Sequence, residues 1–198
     1  MFKDRHDAGK QLAKALSKYA ELPETVVVAL PRGGVVVGYE VANSLHLPLD
    51  IVCPRKLASP DNPEYALGVV TETGDVIPPA LKDLAEKEIK IAQERLHKFR
   101  EGMPPRDFVG KRIILIDDGI ATGSTLIGAI KTLEKERARE IILAVPVAPL
   151  ESLRKFISLV DSIVCLETPT PFYAVGQFYK DFEQTTDEEV NTLLHVTL

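Results

Sequence analysis

The stretch from Arg112 to Thr125, RIILIDDGIATGST, holds the residues best suited to chemistry. An apolar run stops at two adjacent acids, Asp117 and Asp118. A loop of small residues follows and ends in Gly123, Ser124 and Thr125. Such a loop, opening a helix, turns backbone N–H groups toward one point, where the helix dipole favours negative charge. Ser124 and Thr125 add hydroxyl donors, and a bulky residue at Gly123 would hold a ligand off the backbone. These features suit a phosphate. The two carboxylates would repel one; they suit hydroxyl donors or a cation. A sugar phosphate meets both demands. Its phosphate fits the loop of Ile120, Ala121, Thr122, Gly123, Ser124 and Thr125, and its hydroxyls donate to Asp117 and Asp118. A divalent ion nearby would offset the charge. The plainer alternative is an acidic turn at a strand end. The Gly-Lys-Ser/Thr of a P-loop is absent, and so is the dinucleotide fingerprint.

The elements that must position this loop alternate in type. TVVVALP (25–31) is a continuous β-branched run, the pattern of a strand covered on both faces. LDIVCPRK (49–56), KRIILID, REIILAVPVA and DSIVCLE read as further strands. Helices are expected over 4–20, with Asp4 or Asp7 as cap, after the RGG of 32–34, over about 79–100, from Ser124, and over LESLRKFISLV. LASPDNPEYALG (57–68) is rich in turn formers and reads as a loop, and VVTETGDVI as two short strands around a turn. Strands alternating with helices predict an α/β fold with a mostly parallel sheet, whose ligands bind beyond the carboxyl ends of the strands. Three segments lie at such ends: Pro31 to Gly34, the loop after Lys56, and Asp117 to Thr125.

Composition narrows the classes. The 198 residues are 45% hydrophobic and 27% charged, the balance of a soluble globular protein. A net charge of −5 gives no global field for nucleic acid or an anionic membrane. Cys53 and Cys165 sit inside apolar runs and read as core residues. The four histidines form no ligand spacing. No early stretch reads as a signal peptide and no apolar run spans a bilayer, so a cytoplasmic protein is expected.

IILIDDGIATGST resembles the phosphoribosyl pyrophosphate (PRPP) binding motif of type I phosphoribosyltransferases, and LPRGGVVVG resembles that family's pyrophosphate loop. The resemblance implies that Asp117 and Asp118 hold the ribose hydroxyls and that residues 120–125 cradle the 5-phosphate. It implies that Arg32, Gly33 and Gly34 take the pyrophosphate. Physically, the glycines allow close backbone approach and Arg32 supplies a forked cation. The family's mobile loop corresponds to 55–68. There Arg55 and Lys56 would neutralise departing pyrophosphate, or form only a solvated basic pair.

FYAVGQFYKDF (172–182) resembles the hood segment of hypoxanthine-guanine members, with about one residue inserted. It implies that Tyr173 stacks on the base, or else only packs in the hood, and that Asp181 lies near a metal shared with Asp117 and Asp118 or near the base edge. The family's usual acid/base aspartate in the phosphate loop is replaced by Ala121, which leaves Glu64 as the candidate, or a solvated loop acid. The resemblance therefore implies a single domain over 1–198. Its core sheet has about five strands, with an inserted helix near 79–100 and a small C-terminal hood near 168–198. It implies Mg2+-dependent transfer of ribose 5-phosphate from PRPP to a nitrogenous base, purine slightly favoured, in a homo-oligomer. No nucleic-acid or membrane partner is expected. A PRPP- or nucleotide-sensing regulator of the same fold, and an enzyme with an unusual acceptor, remain as alternatives.

Overall fold

The computed structural model describes residues 1–59, 61 and 66–196. Its strands are β1 (Thr25–Ala29), β2 (Leu49–Ile51), β3 (Arg55–Ala58), β4 (Ala66–Val70), β5 (Val76–Ile77), β6 (Arg112–Ile116), β7 (Glu140–Val147) and β8 (Ser162–Glu167). Its helices are α1 (Arg5–Ala15), α2 (Gly33–Leu45), α3 (Lys82–Phe99), α4 (Ser124–Lys135), α5 (Leu150–Arg154) and α6 (Asp187–Val196).

Five strands form one parallel sheet in the order β2-β1-β6-β7-β8. All of β1 is buried, as are four residues of β6, because both faces of the sheet carry helices. Alternation along the strands sorts the core. Val27, Ala29, Ile114 and Ile116 face α1, α2, α6 and the end of α3. Val26, Val28, Ile113 and Leu115 face α4 and Phe156. The chain leaves β1 toward β2 on one side and leaves β6 toward β7 on the other. Ligands collect at this switch point in open α/β sheets. The pairing Ala29↔Ile116 ends both strands side by side, and the Leu30 N–H donates to the Ile116 carbonyl at 3.0 Å. Arg32 and Gly33 therefore emerge beside Asp117 and Asp118.

A second sheet, β3-β4-β5, is antiparallel. Leu57, Val70 and Val76 pack there on Ala85 of α3. Arg100, just past α3, grips Asp50 of β2 with two bonds of 2.8 and 2.9 Å, which ties α3 beside the sheet edge. The single strand expected over 49–56 is thus a correction: β2 ends at Ile51, and Arg55–Ala58 pairs with β4 in the other sheet. Pro54 has no N–H to give a ladder, so the chain leaves the first sheet there. The loop expected over 57–68 is also shorter, because β3 and β4 take both its ends. The helix expected over 150–160 stops at Arg154. Phe156, Ile157, Ser158 and Val160 are weak helix formers and continue as turns.

Helix α1 is capped by Asp4, whose carboxylate accepts the Asp7 N–H at 2.7 Å. The N-terminus then meets the C-terminal segment: the Phe2 N–H donates to Phe178 O at 2.8 Å, and Tyr179 packs on Phe2. Val190 and Leu194 fix α6 in the core. His195 at its end touches two carbonyls, Asn191 O at 2.7 Å and Glu101 O at 2.9 Å. Only a protonated imidazole donates to both, so these bonds raise its pKa above 6.5. A raised folded-state value stabilises below the unfolded value and is lost as pH rises through the folded one. The melting temperature should therefore show a small downward step above pH 6.5, and His195→Gln should lack it. Identical profiles for both proteins would remove the assignment. No helix among the described residues is long and apolar enough to cross a membrane.

Candidate functional site

Two loops from remote parts of the sequence touch at the ends of β1 and β6. A Cβ placed on Gly33 would fall on the Asp118 carboxylate and stand 2.6 Å from Arg5 Nε. One placed on Gly34 would stand 3.1 Å from both Cα and Oδ1 of Asp117. Only glycine lets the first loop lie this close to the acids. The Pro31–Arg32 peptide between them and β1 is cis.

The acids are held differently. Asp117 Oδ1 accepts the Asp118 N–H at 2.9 Å. Asp118 Oδ2 accepts from Arg5 Nε at 2.7 Å. Arg5 also donates to Glu183 O at 2.7 Å and lies 3.8 Å over the Phe182 ring. The Tyr179 hydroxyl donates to the Asp118 carbonyl at 2.6 Å, and burial pushes its pKa far up, so it stays a donor. Burial also raises both carboxyls. The Asp118 charge raises Asp117 further, whereas Arg5 opposes the rise at Asp118. Asp117 has no side-chain cation among the described residues. It is the group that gains most from hydroxyl donors or a metal. Magnesium is usually bound by one or two carboxylates plus substrate oxygens, and this pair fits that pattern. Among the described residues no three His, Cys, Asp or Glu side chains form a group that could hold a metal ion.

The loop after Asp118 is pinned by its carbonyls. Ser152 Oγ donates to Ala121 O at 2.6 Å, and Lys155 Nζ to Thr122 O at 3.3 Å. Gly123 has φ +81°, a left-handed value natural to glycine, and α4 starts at the next residue. Ile120 is buried and its N–H donates to Val147 O at 2.9 Å. The N–H groups of Ala121, Thr122 and Gly123 have no acceptor among the described residues. With the first turn of α4, carrying Ser124 and Thr125, they leave a set of free donors at a helix start, which suits an anion.

The remaining residues singled out in the sequence stand at varying distances from this centre. Arg32 Nη1 is 3.5 Å from Asp187 Oδ1, and Lys98 holds the same carboxylate at 2.7 Å. Arg55 is paired with Glu88 of α3 at 2.8 Å. Lys56 is exposed on β3. Tyr173 is 84% exposed, its ring in solvent while its N–H bonds Gln177. Asp181 is exposed and lines a separate cleft with Asp4, Arg5 and His6. Glu64 lies outside the described residues. The structure thus brings together Asp117, Asp118, Gly33, Gly34 and residues 120–125. Arg5 and Tyr179 were not legible as site residues, since nothing in their spacing links them to Asp118.

A family model for the phosphoribosyl transferase domain matches residues 2–183. Over 206 aligned residues the chain is 40% identical to a protein of Mycobacterium tuberculosis H37Rv provisionally named a phosphoribosyl transferase. That match takes in 98% of this chain and 46% of the relative, so the chain spans about half the length of the curated relatives it matches. The crystal structure of a Thermus thermophilus protein, 38% identical, has a TM-score of 0.85 and covers 98% of this chain and 97% of that one. A hypoxanthine-guanine phosphoribosyltransferase from Bacillus anthracis shares the fold, with TM-score 0.51 at 16% identity over 90% of this chain and 89% of its own.

Proposed function

The chain belongs to the phosphoribosyl transferase family, and from that premise we propose that it moves ribose 5-phosphate from PRPP to a nitrogenous base, releasing pyrophosphate. The observation that carries this reading is the contact of Gly33 and Gly34 with Asp117 and Asp118. It gathers the two glycines, the two acids and the small-residue loop around one point, which supports reading them as the pyrophosphate, ribose and phosphate contacts. The N–H groups of residues 121–123 and the hydroxyls of Ser124 and Thr125 take the 5-phosphate. Asp117 and Asp118 accept from the ribose hydroxyls, and Arg5 holds Asp118 in place for that work. Holding the ribose fixed while C1 loses pyrophosphate is the orienting part of catalysis. A magnesium ion bound with PRPP would be held by Asp117 and Asp118 and would offset pyrophosphate charge.

Ala121 leaves the phosphate loop without an acid/base side chain. Glu64 is the proposed replacement, and a purine, stacked on Tyr173, the proposed acceptor. Replacing Glu64 by Gln should lower turnover by roughly 10²-fold and spare PRPP affinity. Unchanged turnover would remove Glu64 from the chemistry. The same alanine also suits a second reading, a PRPP- or nucleotide-sensing regulator without turnover. Pyrophosphate release from PRPP with Mg2+ across a panel of purine and pyrimidine bases decides between them. Release that depends on one base supports the transferase and identifies the acceptor. PRPP binding without base-dependent release favours the sensor.

A further inference from the structure

Helix α3 carries its buried residues at Ala85, Ala92 and Phe99. Between them, at the three- and four-residue spacing of the same face, stand Glu88 and Arg95. Two charges thus occupy places where an apolar stripe would continue. Glu88 is explained by its ion pair with Arg55. Arg95 is not explained by any such pair.

The Arg95 side chain makes no hydrogen bond or ion pair among the described residues; its guanidinium carbon lies 5.8 Å from the centre of the Phe99 ring. Arg5, Arg32, Arg55, Arg100, Arg106 and Arg112 are also partly buried, and each of them holds a carboxylate. Burial is the main cause that lowers the pKa of Arg95; Arg55 and Arg32 add to it, and Cys53 and Asp187 oppose it. A desolvated cation that no carboxylate among the described residues pairs is unfavourable by itself. A bound anion would relieve it.

Position identifies the anion. Arg95 lines a cleft of about 60 Å³ together with Pro31, Cys53, Asp117 and Thr125. The cleft lies between the loop that begins at Pro31 and the start of α4, on the side of the chain that follows β2. The nest at residues 121–123 already serves one phosphate. The group still lacking cations is the pyrophosphate, whose oxygens match the planar fork of a guanidinium. We propose that Arg95 is a pyrophosphate-binding residue, supplied to the site by α3. This inference rests on the PRPP-binding reading above. It also gives α3 a second task besides covering the sheet edge.

The test is calorimetric titration of the full chain, with Mg2+ present, using PRPP, pyrophosphate and ribose 5-phosphate in turn. Arg95→Gln should weaken PRPP and pyrophosphate roughly 10- to 100-fold and leave ribose 5-phosphate unchanged. Its melting temperature should be equal to or above that of the parent, since no pair is broken. Arg95→Lys, which keeps the charge and loses the fork, should fall between, and it carries the test should the glutamine variant fail to fold. Parent-like pyrophosphate affinity in Arg95→Gln overturns the assignment, and so does an equal loss for ribose 5-phosphate. A parent chain that binds neither PRPP nor pyrophosphate sinks the reading on which the proposal depends, and the proposal with it.

Discussion

Asp117→Asn lowers PRPP turnover by roughly 10²- to 10³-fold and leaves the melting temperature unchanged or higher. The side chain keeps its shape and an acceptor for the Asp118 N–H. It loses the charge that would meet ribose hydroxyls and a cation. Stability does not suffer, because burial and the neighbouring Asp118 already disfavour the ionised form of Asp117. Asp118→Asn separates the two acids. Its side chain and that of Arg5 are 16% and 12% exposed, so the variant leaves a largely buried arginine without its carboxylate. Removing one half of such a pair costs about 3 kcal/mol, a fall of roughly 6–12 °C for a chain of this size. Turnover should fall as well. Steady-state kinetics and thermal melts of both variants check the contrast. Parent-like turnover in Asp117→Asn would falsify the assignment of the acids, and equal melting losses would contradict the unequal role given to Arg5.

Gly33→Ala abolishes PRPP binding in the measurable range, a loss of at least roughly 10²-fold, and destabilises by about 2–4 kcal/mol. The new methyl falls on the Asp118 carboxylate and crowds Arg5 Nε. Both are charged groups bonded to each other, so neither yields without breaking the pair. Either the first loop lifts away from the acids or the acids turn from the ribose position. Gly110→Ala is the control. Gly110 has φ +70° and nothing within 4 Å of an added Cβ. Its replacement costs about 1–2 kcal/mol of backbone strain and should spare PRPP binding. Full PRPP affinity in Gly33→Ala would mean that the two loops do not share a ligand.

What the sequence determined by itself is local. The phosphate loop is contiguous, so its glycine, its hydroxyls and the two acids could be read from one stretch. Apolar runs marked all five strands of the parallel sheet, most plainly the central β1, β6 and β7, which are buried almost throughout. The three-to-four apolar spacing marked α3, because a helix that buries one face repeats at that interval. Single-strand patterning failed at 49–56, where Pro54 hands the chain from one sheet to another without interrupting the apolar run. Only the tertiary structure decided which remote groups meet. Arg5 pairs with Asp118 across 113 positions. Gly33 lies on that same carboxylate because the β1–β6 register ends both strands together. Arg95, which pairs with no carboxylate among the described residues, lines the cleft from the face of α3 that buries Ala85, Ala92 and Phe99. Long charged side chains reach across such distances without leaving any periodic trace in the sequence, since their partners are set by how strands and helices pack.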